Sequence, residues 1–507
     1  FWSNEYINGA VARDKEEETR MHLQRRALRL SVTILLIALL NIASLPVSAQ
    51  TRRARPATAP TAILERNIRA ELGFLASDAM QGRGSGTNNE RLAAEYIGSQ
   101  FRSFGLEPGG DAGASGSKDF VQRVTLESTR FTAPPSFKVT SGANTTTWEF
   151  GKDFLVAFLR ATKIAGDIQV IDSTGTAAKG AVVVIKSLHD PQKRQETIMK
   201  AYSDGAAAVA LLETENNKRS REAGNARLPS LPGRIAGDTS GDRPFAVINL
   251  RKEALEALTA MGDGAKAEFS GQTEAAESRS TWNAVGILRG SDPKAAGQVI
   301  VLSAHLDHLG VNEAATGGDK IFNGADDDAS GCVAVLEMAR VFASGRRPRR
   351  TIYFVCFGSE ESGGYGSRYF IANSPVPLTD MVTNINFEML GRPDAKVPAG
   401  TLWLTGFDRS DLGPTLAKHG AALVADPHPE QNFFQRSDNY TLAVKGVVAH
   451  TISSFGLHTD YHRASDEIGK IDFPFMTRSL NSVVGPIRWL ANSNFRPMWL
   501  PGKAPTR

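Results

Sequence analysis

The sequence predicts an α/β protein: a three-layer αβα body around a mostly parallel central sheet, with a smaller β-rich block inserted into it. Two textures along the chain carry this prediction, and the chain length allows it. Beyond Trp282, apolar runs at 299–303, 351–357, 382–387 and 447–452 alternate with helical stretches. Such runs read as strands buried on both faces, which is how parallel sheets flanked by helices are built. Between 130 and 275 the chain changes to short β-rich runs separated by turn residues. With 507 residues, at ~100–200 per domain, there is room for both.

Taken in order, residues 1–20 lack an initiator methionine, carry the polar run RDKEEETR, and are expected to be a mis-called start ahead of Met21. From Met21 come basic residues, the apolar stretch SVTILLIALLNIASL, and the small residues Ser48 and Ala49. That order reads as a secretory signal cleaved after Ala49, and the stretch is shorter than the ~20 apolar residues of a spanning helix. Residues 1–49 are therefore assigned to upstream sequence and signal peptide, and an exported protein, periplasmic or secreted, is expected; an uncleaved anchor is the alternative. Arg, Pro and Ala dominate 50–62, a disordered lead-in.

The body opens at 63–129, of which 63–125 reads as helical. Ala93, Ile97, Phe101 and Phe104 recur at the 3.6 period, and Gly105 supplies a stop. The run GRGSG at 82–86 lacks a preceding strand and a following Lys-Ser/Thr, so it reads as a flexible loop rather than a phosphate cradle. In the block at 130–275, strands are expected at 166–171, 181–185 and 245–250, an Ala-rich helix running into a strand at 201–212, and a surface loop at 213–243. The body resumes over 276–495, and 496–507 is a C-terminal tail.

Composition excludes several classes. Two cysteines rule out a disulfide-stapled scaffold, and 47 Gly with 24 Pro show no collagen-like period. Lys+Arg 58 against Asp+Glu 54 is too balanced to argue for nucleic acid or a membrane surface as partner. Cys332 and Cys356 read as buried small hydrophobes, and His428 and His450 as structural.

The chemistry collects where strands end. AHLDHLG (304–310) places His305, Asp307 and His308 just past one strand, and NGADDDASG (323–331) puts Asp326, Asp327 and Asp328 before a helix. GSEESGG (358–364) delivers Glu360 and Glu361, EMLGR (388–392) delivers Glu388, and DYHRASD (460–466) supplies His462 and Asp466. Taken singly, the aspartates could cap their helix, the glutamate pair could be solvated, and His462 could be structural. Grouped on one rim they repel one another unless a cation neutralises them, and imidazole beside carboxylate favours a pair of zinc ions over magnesium or calcium. Adjacent glutamates can divide the work, one turned to metal and one to water, and Asp307 is placed to orient His305.

HLDH, GADDDASG, SEESGGYGS, NFEMLG and YHRASDE, in this order, resemble the signature set of the co-catalytic di-zinc exopeptidases, the family of bacterial leucyl aminopeptidases, glutamate carboxypeptidase and the non-catalytic transferrin receptor. The resemblance covers most of 63–495. The opening LASDAMQGRGSGTNNERLAAEYIGSQFRSFGLEPGGD is similar to members that carry an inserted protease-associated domain, which 130–275 resembles through Lys179-Gly180 and the GAAAVALL run. The resemblance implies two Zn2+ ions, with His305, Asp327, Glu361, Glu388 and His462 as ligands and Asp327 bridging. It makes Glu360 the general base and Asp307 the partner of His305, with Asp466 in a similar role for His462 and His308 at the cleft. Glu388 departs from the family's more frequent Asp. The implied function is an exported aminopeptidase acting on peptide substrates, with no nucleic acid and no stable membrane insertion after signal cleavage. The alternatives are a carboxypeptidase of the glutamate carboxypeptidase type, which needs an Arg-rich pocket, a single-zinc glutaminyl-cyclase-like acyltransferase, or a receptor-like binding protein.

Overall fold

A computed structural model of the chain describes residues 62–505 apart from 114–115, 187–190, 239–242, 276–277 and 315–317. The expected signal at 1–49 and all but the last residue of the lead-in fall outside the described residues.

The longer strands of a ten-stranded sheet are β1 (Val121–Glu127), β2 (Arg279–Leu288), β3 (Val299–His305), β4 (Thr351–Phe357), β5 (Met381–Phe387), β6 (Leu402–Leu404), β7 (Leu423–Ala425) and β8 (Ala449–Ser453). They lie in the order β1-β2-β4-β3-β5-β8-β6-β7. β4, β3, β5 and β8 run parallel, while β1 and β2 join antiparallel on one side and β6 pairs antiparallel with β8. The sheet is mixed at its edges and parallel at its centre, as the apolar runs predict. Every residue of β3, β4 and β5 is buried, because helices cover both faces. Helix Gly331–Ser344 buries eleven of its residues, and Phe473–Asn492 packs with it in the same core.

β3 and β4 are in register from Val299 opposite Thr351 to His305 opposite Phe357, so their carboxyl ends share one rim. The chain leaves β3 for β4 on one side and later reaches β5 on the other. That reversal makes the end of β3 a switch point, where open α/β sheets form their binding crevice.

A second sheet of eight strands occupies 136–270. Its strands Lys163–Ile171, Val182–Ile185 and Ala246–Leu250 coincide with three expected runs. The strand expected at the end of 201–212 is Ala208–Leu212, while the helix before it runs over Pro191–Asp204, mostly ahead of the Ala-rich stretch. Two expectations need correction. Residues 63–125 are not helical throughout: helices Glu65–Leu75 and Asn88–Ser103 give way after Gly105 to extended chain and β1. The period in Ala93, Ile97 and Phe101 marks one real helix and not the segment beyond it. The polar stretch 213–243 also holds helix Glu215–Glu222 and the short strand Arg234–Ile235, which pairs with β1. Helix Glu215–Glu222 buries no residue, so no apolar period announces it.

Candidate metal centre

β3 ends on His305, and the chain turns so that Asp307 and His308 follow beneath the rim. The aspartate segment starts at Gly324, whose φ of 56° is left-handed, and a Cβ there would meet the Asp327 carbonyl at 2.2 Å. Its three carboxylates then diverge. Asp328 caps and ties: its oxygens accept from the amides of His305 (3.1 Å), Gly331 (3.0 Å) and Met389 (3.1 Å). Asp326 accepts from the Gly391 amide at 2.7 Å and lies 3.0 Å from His458 Nε2. Asp327 meets the imidazoles of His305 and His462. Its Oδ1 lies 3.2 Å from His305 Nε2 and its Oδ2 3.3 Å from His462 Nε2.

Glu361 joins this group, with Oε2 at 3.2 Å from His462 Nε2 and Oε1 at 2.8 Å from His308 Nδ1. One ligand atom from each of His308, Asp327 and Glu361 falls within 4.8 Å of the others. His308, expected only to line the cleft, therefore stands inside the group. The doubled imidazole of HLDH was its signal. His462 stacks on Tyr461 with ring centroids 3.9 Å apart.

Glu388 follows β5 and stands beside this contacting group rather than in it, sensing His305 and Asp327 through space. Asn386 Nδ2 approaches its carboxylate at 3.4 Å. Burial, joined by Asp327, pushes Glu388 up to about 7. Burial likewise raises Glu360 well above the carboxylate range, with Glu388, Asp438 and Glu361 adding to it. Burial pulls His305 down, yet Asp307 and Asp327 hold its ring well above the usual imidazole value. His462 is treated the same way: burial lowers it, and Asp327 with Glu361 carry it to about 10.

Two expected roles shift. Asp307 does not give its carboxylate chiefly to His305. The ring Nδ1 lies 3.1 Å from the Asp307 carbonyl and 3.7 Å from Oδ1, while the carboxylate accepts from Ser85 Oγ (2.5 Å) and the amides of Glu360 (2.9 Å) and Glu361 (3.3 Å). Asp466 holds the aspartate segment instead of His462, accepting from the Asp326 and Asp327 amides at 3.1 Å. Arg392 Nη2 donates to it at 3.1 Å. The GRGSG run is no loose loop. Arg83, 1% exposed, donates to the carbonyls of Leu75, Leu306, Asn323 and Gly324. A buried guanidinium amid carbonyls and an acidic cluster is the pattern that Gly-rich composition concealed. Asp438, in the run RSDNY (436–440) that resembles a Ser-Asp segment of the family near the substrate cleft, is 2% exposed with neither carboxylate oxygen hydrogen-bonded.

The donor set fits a cation. A carbonyl only accepts, so His305 Nδ1 carries the proton it gives to Asp307, and in the neutral ring that a cation would require, Nε2 would turn a lone pair toward Asp327 Oδ1. Asp327 already raises the ring's hold on a proton at this 3.2 Å contact, and a cation would supply that positive charge in the proton's place. Asp327 Oδ2 is buried without a hydrogen-bond partner, and such an orphan is costly unless coordinated.

The sequence profile of Peptidase family M28 matches residues 283–484. "Aminopeptidase YwaD" of Bacillus subtilis is 28% identical over 215 residues, 42% of this chain and 40% of that protein. A "Probable zinc metalloprotease" of Pyricularia oryzae is 41% identical over 88 residues, 17% of this chain and 16% of that one. The chain thus spans less than half the length of these curated relatives. The solved aminopeptidase from Aneurinibacillus sp. strain AM-1 aligns at 19% identity and TM-score 0.49, covering 89% of this chain and 99% of that one. Residues 283–484, the stretch that matches this family's profile, carry the whole cluster from His305 to His462.

Proposed function

We propose that the protein is an exported, zinc-dependent aminopeptidase that removes N-terminal residues from peptides. The observation that carries the reading is Asp327, one buried carboxylate with an imidazole facing each of its oxygens. That arrangement suits a carboxylate shared by two ions. His305 and Glu388 would complete one site with Asp327, and Glu361 and His462 the other. Imidazole and carboxylate together suit zinc, and the relatives' names agree for those proteins. Bound zinc would polarise the scissile carbonyl and lower the pKa of a water near it.

The chain's own residues supply the rest. Glu360 accepts a proton at its carboxylate and returns it to the leaving amine, a role that its raised affinity for protons favours. Glu361 holds its charge for the cation. A narrow cavity beside Glu388, lined by Trp403, Phe433, Phe455, Tyr461 and Arg436 among others, marks where a small first side chain would enter. The carboxypeptidase alternative draws no support from the arginines. Arg392 is engaged by Asp460 and Asp466 and Arg409 lies over the Phe434 ring, leaving Arg436 alone at the cavity. Export is proposed from the order of residues 21–49.

The test is hydrolysis of an aminoacyl-anilide panel beside N-blocked peptides, before and after chelation and zinc addition. Cleavage of free-amine substrates alone, lost on chelation and restored by zinc, is the expected result. Cleavage of N-blocked peptides from the carboxyl end would overturn the aminopeptidase reading.

A further inference from the structure

At the end of β4, four consecutive backbone amides leave the sheet and each is caught by a side chain. Gly358 N–H donates to Asn283 Oδ1 (3.0 Å), Ser359 N–H to Glu90 Oε1 (2.9 Å), Glu360 N–H to Asp307 Oδ1 (2.9 Å) and Glu361 N–H to Asp307 Oδ2 (3.3 Å). Asn283, Glu90 and Asp307 are all 0% exposed. Ser359 sits at φ 53°, a left-handed conformation that a serine keeps only where its surroundings over-determine it. That bend swings Glu360 and Glu361 out of the strand direction and toward Asp327.

Glu90 is the unexpected member. It lies in Thr87-Asn88-Asn89-Glu90, the spacing of a helix capping box, and Thr87 does accept from the Glu90 amide. A capping glutamate would return its carboxylate to the cap residue's own amide. Here Oε2 takes the Gly86 amide at 2.8 Å, while Oε1 crosses to Ser359 and also accepts from Thr281 Oγ1 at 2.6 Å. The approach is close enough that a Cβ at Gly358 would meet Glu90 Oε1 at 2.7 Å.

We infer that Glu90 is a positioning residue for Glu360: its buried carboxylate fixes the Ser359 bend that aims the base and its neighbour. The inference rests on Glu360 being the base, but the bend itself can be measured without any reaction. Hydrogen exchange read on peptides covering 358–361, together with kcat, KM and bound metal, tests it in Glu90→Ala, Glu90→Gln and Thr87→Ala.

In Glu90→Ala, exchange at 358–361 should quicken about tenfold or more while 351–357 stays protected. At saturating zinc kcat should fall about 100-fold with KM unchanged, the loss expected of a displaced catalytic group. Glu90→Gln keeps one acceptor and should recover most of both. If Glu90→Ala does not fold, Glu90→Gln still decides, through a smaller change in both readouts. Thr87→Ala should lower helix stability alone. Unchanged exchange and kcat in the Glu90 variants, or equal changes in Thr87→Ala, would overturn the inference. A wild-type enzyme that binds zinc but hydrolyses nothing would instead count against the proposed function, and exchange would still judge Glu90.

Discussion

Glu360 and Glu361 are adjacent in sequence and opposite in circumstance. Burial with Glu388 and Asp438 drives Glu360 up, while burial and Asp327 press Glu361 upward but His308 and His462 win and hold it below its ordinary range. Two carboxylates pushed apart in this way are what an acid-base pair of roles requires. Glu360→Gln should therefore keep its metal and lose roughly 10²–10⁴-fold in rate, whereas Glu361→Gln should lose metal. Metal analysis beside kcat checks both, and a fully active Glu360→Gln would refute the assignment. His450 gives a second residue-level test. Its ring is buried between Ser410 Oγ and the Thr405 carbonyl, both at 2.7 Å, and burial lowers it to about 4. The folded ring stays neutral where the unfolded one, titrating near 6.5, takes a proton. The stability it contributes is full above about pH 6.5 and is lost as pH falls toward 4, about 3 kcal/mol in all. Denaturant titrations across that window should show the loss in the wild type and a shallower one in His450→Asn; parallel slopes would refute it.

Elements explain why some of this was legible and some not. The apolar runs of β3, β4 and β5 announce themselves because both faces are buried, and strand ends in a parallel sheet must share a rim. Hence His305, Glu360, Glu361 and Glu388 could be placed near one another from the sequence. What three neighbouring aspartates do could not, since spacing does not say which way each carboxylate turns. Capping, the bland reading for all three, holds for Asp328, which gathers the end of β3, the start of helix Gly331–Ser344 and the chain beyond β5 through three buried amides. Glu90 and Arg83 were illegible for the opposite reason: apart from Gly86 and Leu75, the partners named for them lie far along the chain, at Thr281, Leu306, Asn323, Gly324 and Ser359, and leave no local period. Asp328→Ala would strand three buried donors at about 1–3 kcal/mol each, so a loss of at least about 3 kcal/mol is expected from denaturant unfolding. A loss under about 1 kcal/mol would mean the knot is not what joins these elements.

Across the molecule, apolar side chains sort into separate cores. Phe137, Phe154 and Phe269 belong to a cluster drawn only from 131–269, while Phe101, Phe354 and Phe387 belong to one drawn from the body. Among the described residues the link between them is thin, and it includes Arg234–Ile235 on β1, the small cluster of Val124, Ile235 and Tyr365, the Tyr365 hydroxyl donating to the Gly233 carbonyl at 2.5 Å, and the ion pairs Arg234–Glu127 and Arg368–Asp238. Segments with their own cores and few shared contacts unfold as separate cooperative units. Calorimetry should accordingly resolve two transitions. Phe154→Ala, emptying a fully buried ring site at about 3–5 kcal/mol, should lower one and leave the other, with zinc binding raising only the transition that Phe154→Ala spares. A single transition that Phe154→Ala and zinc both move would show that the thin link couples the two sheets after all, and that the binding rim depends on the 136–270 sheet for its stability.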